Sequence, residues 1–287
     1  MPEIEKNIKI IECPRDAMQG WAHFIPTRQK VEYINSLLQV GFDTIDFGSF
    51  VSPKAIPQMA DTHEVIRQLD ISGTATKLLA IIANERGANE AVQYGAITYL
   101  GFPFSISETF QLRNTNSTIA ESFERVKTIQ EICVNQNKQL VIYISMGFGN
   151  PYGDVYNEAI AFEWINKMME LDIKIISLAD TVGLATPEQV HSMTKYVIQT
   201  FTNIETGVHL HSTPVNRKLK IDAAYTAGCT RFDGALMGIG GCPMADDELV
   251  GNMDTEQMIH YFSAGKQLSI NEEALNKSIQ LAKTIFV

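Results

Sequence analysis

Short runs of apolar and β-branched residues alternate along the chain with longer stretches in which apolar positions recur every three or four residues. The first pattern belongs to buried strands and the second to amphipathic helices. Eight runs read as strands: IKIIEC (8–13), TIDFG (44–48), KLLAIIA (77–83), ITYLGF (97–102), LVIYISM (140–146), KIISLA (174–179), TGVHLH (206–211) and TRFDGAL (230–236). The helical stretches between them carry start and stop signals. Thr27 opens a segment in which Val31, Ile34, Leu37 and Leu38 share a face, with Gly41 where a C-terminal cap is expected. Ser117 and Glu121 open an amphipathic stretch that runs to about Asn137. Thr186-Pro187-Glu188 supplies an N-cap followed by proline at the first helical position.

Strands this uniformly apolar cannot face water, so they belong to a parallel sheet covered by helices. Eight strand-then-helix units in 287 residues predict an α/β fold, the (β/α)8 TIM barrel. A doubly wound open sheet would be expected to follow its first strand with GxGxxG, and IKIIECPRDAMQG has none. No linker, low-complexity tract or shift in composition divides the chain, so 1–287 reads as a single catalytic barrel domain. The tail NEEALNKSIQLAKTIF, from Asn271, reads as an extra C-terminal helix that packs on the barrel or on a partner subunit.

Composition narrows the function classes. With 45% hydrophobic and 20% charged residues, collagen-like, coiled-coil and disordered readings are excluded. A chain of this length buries roughly 75% of its unfolded surface, so its core needs neither metal nor disulfide and any metal is functional. The balance of 23 basic against 33 acidic residues, net −10, with no Lys/Arg run to track phosphates, excludes nucleic acid as a partner. MPEIEKNIKI is too densely charged for a signal-peptide core, and no apolar run approaches the roughly 20 residues that span a bilayer. Cys13, Cys133, Cys229 and Cys242 form no CxxC pair, so neither a zinc knuckle nor a disulfide framework is expected, and the reducing cytoplasm is the expected location.

In such barrels, chemistry collects at the carboxyl ends of the strands. Strand 1 runs out into Pro14-Arg15-Asp16, strand 2 carries Asp46, strand 6 ends in Asp180-Thr181 and strand 7 in His209-Leu210-His211. Histidines two apart on a strand point to the same side, so both imidazoles can reach one metal. Asp16 would complete a site of two nitrogens and one oxygen, a set that suits Mn²⁺, Mg²⁺, Co²⁺ or Zn²⁺ and argues against a closed structural zinc site. Arg15 reads either as a structural ion-pair former or as a stabiliser of developing oxyanion charge. Asp180 reads either as the cap of the turn DTVGLATP or as a site residue, and Asp46 either as a turn acceptor or as a site acid. Cys242, after Gly238, Gly240 and Gly241, reads either as an inert small residue or as part of a mobile flap reaching to Asn252.

Five segments resemble the 3-hydroxy-3-methylglutaryl-CoA lyase family of metal-dependent carbon-carbon lyases and synthases: ECPRDAMQ (12–19), SFVSPKAIPQMAD (49–61), SLADTVGLATP (177–187), VHLH (208–211) and GIGGCP (238–243). They occur in the family's order over most of the chain. The resemblance implies an acyl-CoA substrate cleaved to acetyl-CoA and a ketoacid by a retro-Claisen step. It implies a divalent cation, Mg²⁺ or Mn²⁺, held by Asp16, His209, His211 and Asn252, and catalytic weight on Arg15, Asp46, Asp180, His209 and Cys242. A homodimer is the expected assembly. The absence of a regulatory extension after the barrel favours a lyase over a condensing synthase. Three features depart from the pattern: Asp46 replaces the usual glutamate, Ser212 stands where an aspartate commonly follows HxH, and the flap from Cys242 to Asn252 is long and acidic. Metal-dependent hydrolases of the same fold commonly carry HxH on the first strand. Here it lies on the seventh, and His23, His63, His191 and His260 are away from strand ends.

Overall fold

The computed structural model describes residues 7–241, 250–264 and 268–287. All eight expected strands form: β1 (Lys9–Glu12), β2 (Thr44–Ser49), β3 (Lys77–Ile81), β4 (Ile97–Ser105), β5 (Gln139–Ser145), β6 (Ile175–Asp180), β7 (Glu205–Leu210) and β8 (Arg231–Gly234). They pair in parallel in sequence order, and β8 pairs with β1, closing the TIM barrel. Strand alternation sorts the side chains. Leu79, Ile81, Tyr99, Val141, Tyr143 and Ile175 form a cluster inside the barrel. Their neighbours Leu78, Ala80, Leu100, Ile142 and Ile176 face outward into the larger core beneath the helices. Among the described residues no helix is long and apolar enough to cross a membrane.

Several boundaries differ from the sequence pattern for identifiable reasons. The fourth run reads as ending at Phe102, yet the β4–β5 ladder continues through Pro103, pairing it with Tyr143 and ending at Ser105 with Ser145. β8 stops at Gly234 because Leu236–Gly238 turns into a 3₁₀ segment with Met237 at φ 63°. The long amphipathic helix is Ile119–Asn135, and its cap is Thr118 rather than Ser117. A capping box needs its acid three positions after the cap: Thr118 Oγ1 accepts from Glu121 N at 3.1 Å, and Glu121 Oε2 accepts from Thr118 N at 2.8 Å. Thr186 caps Pro187–Thr200 as expected, with Gln189 completing the box. The residues after β1 are not a bare loop but a short helix, Pro14–Gln19.

The tail helix, Glu272–Ile285, lies on its own barrel. Ser278 shares a buried 2.8 Å hydrogen bond with Ser36 in the helix Thr27–Leu37, and Phe286 meets Trp21 edge-on at 5.3 Å between ring centroids. Phe286 also meets Tyr33 of that helix edge-on at 6.3 Å, so the extra element packs there partly by covering an aromatic side chain.

Glu12 faces outward from β1 and is fully buried. Its carboxylate accepts from Leu236 N at 2.9 Å and Thr255 Oγ1 at 2.6 Å, which joins β1 to the segment after β8 and to the helix Thr255–Ser263. Burial pushes this carboxyl from the ordinary 4.5 up to about 8, although both hydrogen bonds favour its ionised form. Between those values the folded protein holds a proton that the unfolded chain releases, so folding stability falls as pH rises through this window. Glu12→Gln should therefore lose less stability than the parent between about pH 5 and about pH 8, as measured by urea unfolding. Equal losses in the two proteins would place the pH dependence elsewhere.

Candidate active site

Arg15 and Asp16 are presented by Pro14–Gln19 at the carboxyl end of β1, where Pro14 occupies the first turn of the helix. Arg15 is the centre of a buried clamp. Its Nε and Nη2 donate to Asp46 Oδ2 at 3.0 and 2.5 Å, and its Nη1 donates to Asp16 Oδ1 at 2.7 Å. Asp16 also accepts from Gln19 Nε2 at 2.7 Å, one helical turn on, and from Asn252 Nδ2 at 2.7 Å. Burial opposes the Asp16 carboxylate, but Arg15, His209, His211 and Asn252 together outweigh it and hold its pKa below the ordinary value. At Asp46 burial wins over Arg15 and pushes the carboxyl up to about 6. Gly240 makes the Asn252 contact possible. A Cβ there would stand 2.5 Å from Asn252 Nδ2 and 2.8 Å from the Asp16 carbonyl, and its φ of +103° suits glycine.

His209 and His211 project from the end of β7 to the same side, with ring centroids 5.4 Å apart. His211 Nδ1 lies 2.8 Å from the Val250 carbonyl, so Nδ1 carries the proton and Nε2 keeps its lone pair. His209 Nδ1 lies 3.2 Å from Asp233 Oδ2. Burial, and then the neighbouring His209 charge, hold His211 below its ordinary pKa and so in the ligating form. Burial likewise lowers His209, but the hydrogen bond and charge of Asp233, with Asp16, reverse the sign and raise it. One donor atom each from Asp16, His209 and His211 lie within 4.8 Å of one another. Two imidazole nitrogens and a carboxylate at that spacing fit a divalent cation with positions left for substrate. Cys13, His209 and Asp233 also bring donor atoms within 4.8 Å. That group fits less well, because burial and then the Asp233 charge drive the Cys13 thiol well above its ordinary pKa, and a thiol ligand must lose its proton.

Asp180 stands apart from these residues. Its neighbours Ala179 and Thr181 line the cavity at the barrel mouth, and the strand alternation turns Asp180 to the opposite face. There its Oδ1 accepts from Ala185 N at 3.1 Å, closing the turn, and its Oδ2 pairs with Lys220 Nζ at 2.6 Å. Lys220, on the helix Arg217–Thr226, is fully buried and also donates to the His211 carbonyl at 2.8 Å. Cys242 lies outside the described residues, as does most of the expected flap. Gln19, Tyr143, Lys220 and Asp233 were not legible as site residues in the sequence. Two signals were present: Gln19 is one helical turn from Asp16, and Asp233 is a carboxylate in a run read as a buried strand. Tyr143 and Lys220 gave none.

The cavity has a volume of about 480 Å³, with Ile81, Pro103, Phe110 and Tyr143 on its apolar wall and Arg15, Asp16, His209 and His211 on its polar floor. The Tyr143 hydroxyl and Asp46 Oδ1 are buried with no partner among the described residues. Tyr143 lines the cavity, and an unsatisfied polar atom there is a group a ligand would satisfy.

The fold and this floor place the chain in a defined class. Residues 7–285 match the HMGL-like family, and the chain belongs to it. It is 32% identical to a hydroxymethylglutaryl-CoA lyase of Bacillus subtilis (strain 168) over 283 residues, covering 98% of this chain and 92% of that protein. It is 31% identical to the mitochondrial hydroxymethylglutaryl-CoA lyase of Homo sapiens over 261 residues, covering 91% and 79%. The solved structure of an HMG-CoA lyase from Acinetobacter baumannii, in complex with coenzyme A and 3-methylmalate, superposes with a TM-score of 0.92 at 32% identity, covering 100% of this chain and 93% of that one.

The buried Lys220–Asp180 pair gives a stability prediction. Lys220→Met leaves the Asp180 carboxylate without its counter-charge and the His211 carbonyl without its donor. It should cost about 3–5 kcal/mol in urea unfolding, as breaking one side of a buried pair does. The double replacement with Asp180→Asn should recover part of the loss; a single variant within about 1 kcal/mol of the parent would remove this pair from the list of supports.

Proposed function

We propose that this chain cleaves 3-hydroxy-3-methylglutaryl-CoA to acetyl-CoA and acetoacetate by a retro-Claisen step assisted by a divalent cation, Mg²⁺ or Mn²⁺. The observation that carries the reading is the convergence of Asp16, His209 and His211 donors within 4.8 Å on the floor of a cavity that Arg15 also lines, in a chain of the HMGL-like family. Asp16, His209 and His211 would hold the cation, with Asn252, already bonded to Asp16, as a further oxygen donor. When bound, such a cation supplies Lewis acidity to the substrate's hydroxyl and carboxylate oxygens, an effect of several kcal/mol.

The reaction removes the proton of the C3 hydroxyl while the C2–C3 bond breaks. The oxygen becomes the ketone of acetoacetate, the bonding electrons pass to the thioester as an enolate, and C2 then takes a proton to give acetyl-CoA. His209 lines the cavity and is assigned the proton transfer, taking the hydroxyl proton on Nε2 when that nitrogen is not on the cation, because its Nδ1 is held by Asp233. Arg15 has five N–H groups, three of them committed to Asp46 and Asp16, and the remaining two can reach an enolate oxygen. Asp46 fixes Arg15 through two hydrogen bonds to its Oδ2. The apolar wall of Ile81, Pro103 and Phe110 keeps water from the enolate. Asp180 holds the ends of β6 and β7 through Lys220 and has a positioning role. Cys242, in the flap, is assigned proton delivery to C2 on the strength of its GIGGCP segment and the ordinary thiol form of cysteine at neutral pH.

A cytoplasmic location is supported by the free thiols of Cys13, Cys133 and Cys229, and a homodimer is the proposed assembly. Light scattering on the purified protein decides the assembly.

The deciding experiment incubates the protein with 3-hydroxy-3-methylglutaryl-CoA and related 3-hydroxyacyl-CoA thioesters in Mg²⁺ or Mn²⁺. Equal amounts of acetyl-CoA and acetoacetate should appear, and chelation should abolish them until metal is restored. Turnover in chelated, metal-analysed protein would refute the metal-assisted reading. Arg15→Met should lower kcat by roughly 10² with a smaller change in KM, as loss of an oxyanion donor does. A raised KM at unchanged kcat would make Arg15 a binding residue instead.

A further inference from the structure

Inside the barrel, beneath the cavity, one wall is ionic where branched apolar residues are the rule. β7 and β8 are in register with His209 opposite Asp233, and both side chains point inward. His209 Nδ1 meets Asp233 Oδ2 at 3.2 Å, and Tyr143 packs edge-on against the imidazole with ring centroids 5.7 Å apart at 85°. The Asp233 side chain is fully buried, and its Oδ1 has no partner among the described residues. Two residues earlier on the same face of β8 stands Arg231, also fully buried. Burial alone would lower the pKa of Arg231, but Asp233 leads the set of neighbours that reverse this and raise it. Arg231 Nη1 reaches Glu205 Oε1 at 3.2 Å, and Glu205 Oε2 meets Lys9 Nζ at 2.5 Å near the opposite end of the barrel. Gly207 leaves the room for this: a Cβ there would lie 2.9 Å from Arg231 Cδ.

Alternating charges therefore run Asp233, Arg231, Glu205, Lys9 beneath the His209 ring. A buried carboxylate is costly unless its charge is answered, so a ladder of this kind needs a reason beyond filling space. An imidazole whose Nδ1–H is held by a carboxylate presents Nε2 as a lone pair, in a fixed orientation. The Nδ1 side of His209 faces Asp233, which leaves Nε2 as the atom that faces Asp16 and His211.

We propose that Asp233 is a positioning residue for the reaction: it accepts the Nδ1 proton of His209, fixing that ring with Nε2 turned to Asp16 and His211, and Arg231 is its counter-charge in the barrel interior. This rests on the metal-assisted lyase reading for its consequences in Mn²⁺ affinity and turnover. The tautomer is a property of the metal-free protein.

Two measurements test it. In ¹⁵N-histidine NMR of the metal-free protein, at a pH where the ring is neutral and with His209→Gln for assignment, His209 should carry its proton on Nδ1. A proton on Nε2 overturns the proposal without any variant at Asp233. In Mn²⁺ titrations followed by EPR, Asp233→Asn should bind roughly 10- to 100-fold more weakly than the parent. Its kcat should fall with KM nearly unchanged, and Asp233→Glu should recover part of both. A role confined to balancing Arg231 would lower the melting temperature of Asp233→Asn and leave Mn²⁺ affinity at the parent value, and that result also overturns the proposal. If Asp233→Asn fails to fold, the wild-type tautomer and the Asp233→Glu titration decide. Failure of the wild type to bind Mn²⁺ would refute the metal reading, and the tautomer measurement would still decide the role of Asp233.

Discussion

The guanidinium of Arg15 lies between two carboxylates in a place almost closed to water, and the arrangement of the barrel mouth follows from how those three charges are satisfied. Taking ions out of water costs several kcal/mol each unless their hydrogen-bonding capacity is filled. Arg15 spends three donors on Asp46 and Asp16, and Asp16 takes two more from Gln19 and Asn252. These bonds lock the helix Pro14–Gln19 to β2 and draw the far end of the β8 loop, at Asn252, onto the site. One positive and two negative charges leave a net −1 beside two imidazoles, which is the electrostatic reason for a cation to settle there.

Strand parity decides which polar residues share that place. On β7 it turns both His209 and His211 inward. On β6 it puts Ala179 and Thr181 on the cavity wall and sends Asp180 outward to Lys220. The outward pair still bears on the site, because Lys220 also holds the backbone carbonyl of His211. On β8 the same parity stacks Arg231 and Asp233 under His209. The candidate ligands are thus held from below by an ionic ladder and from the outside by a buried lysine, so the histidine rings and backbone have little freedom to drift from the geometry a cation needs.

Much of this was legible in the sequence, and the limits follow from the range of the interactions involved. Eight apolar runs separated by helical periodicity determined the strands and the barrel, because a strand buried on both faces is apolar at most of its positions. HLH on the seventh run and Arg15-Asp16 after the first identified the floor of the site, because strand ends are where a barrel exposes polar groups. The capping register at Thr118 and the short helix after β1 are decided by hydrogen bonds spanning three or four residues, but the pattern places the cap at Ser117 and leaves the helix out. The tertiary structure alone decided the rest. Asp233 meets His209 across 24 residues, Arg15 meets Asp46 across 31, and Lys220 meets Asp180 across 40. Those meetings depend on the register in which eight strands close on one another. Periodicity within one segment states which face a side chain takes, but only the closed sheet states what stands opposite it.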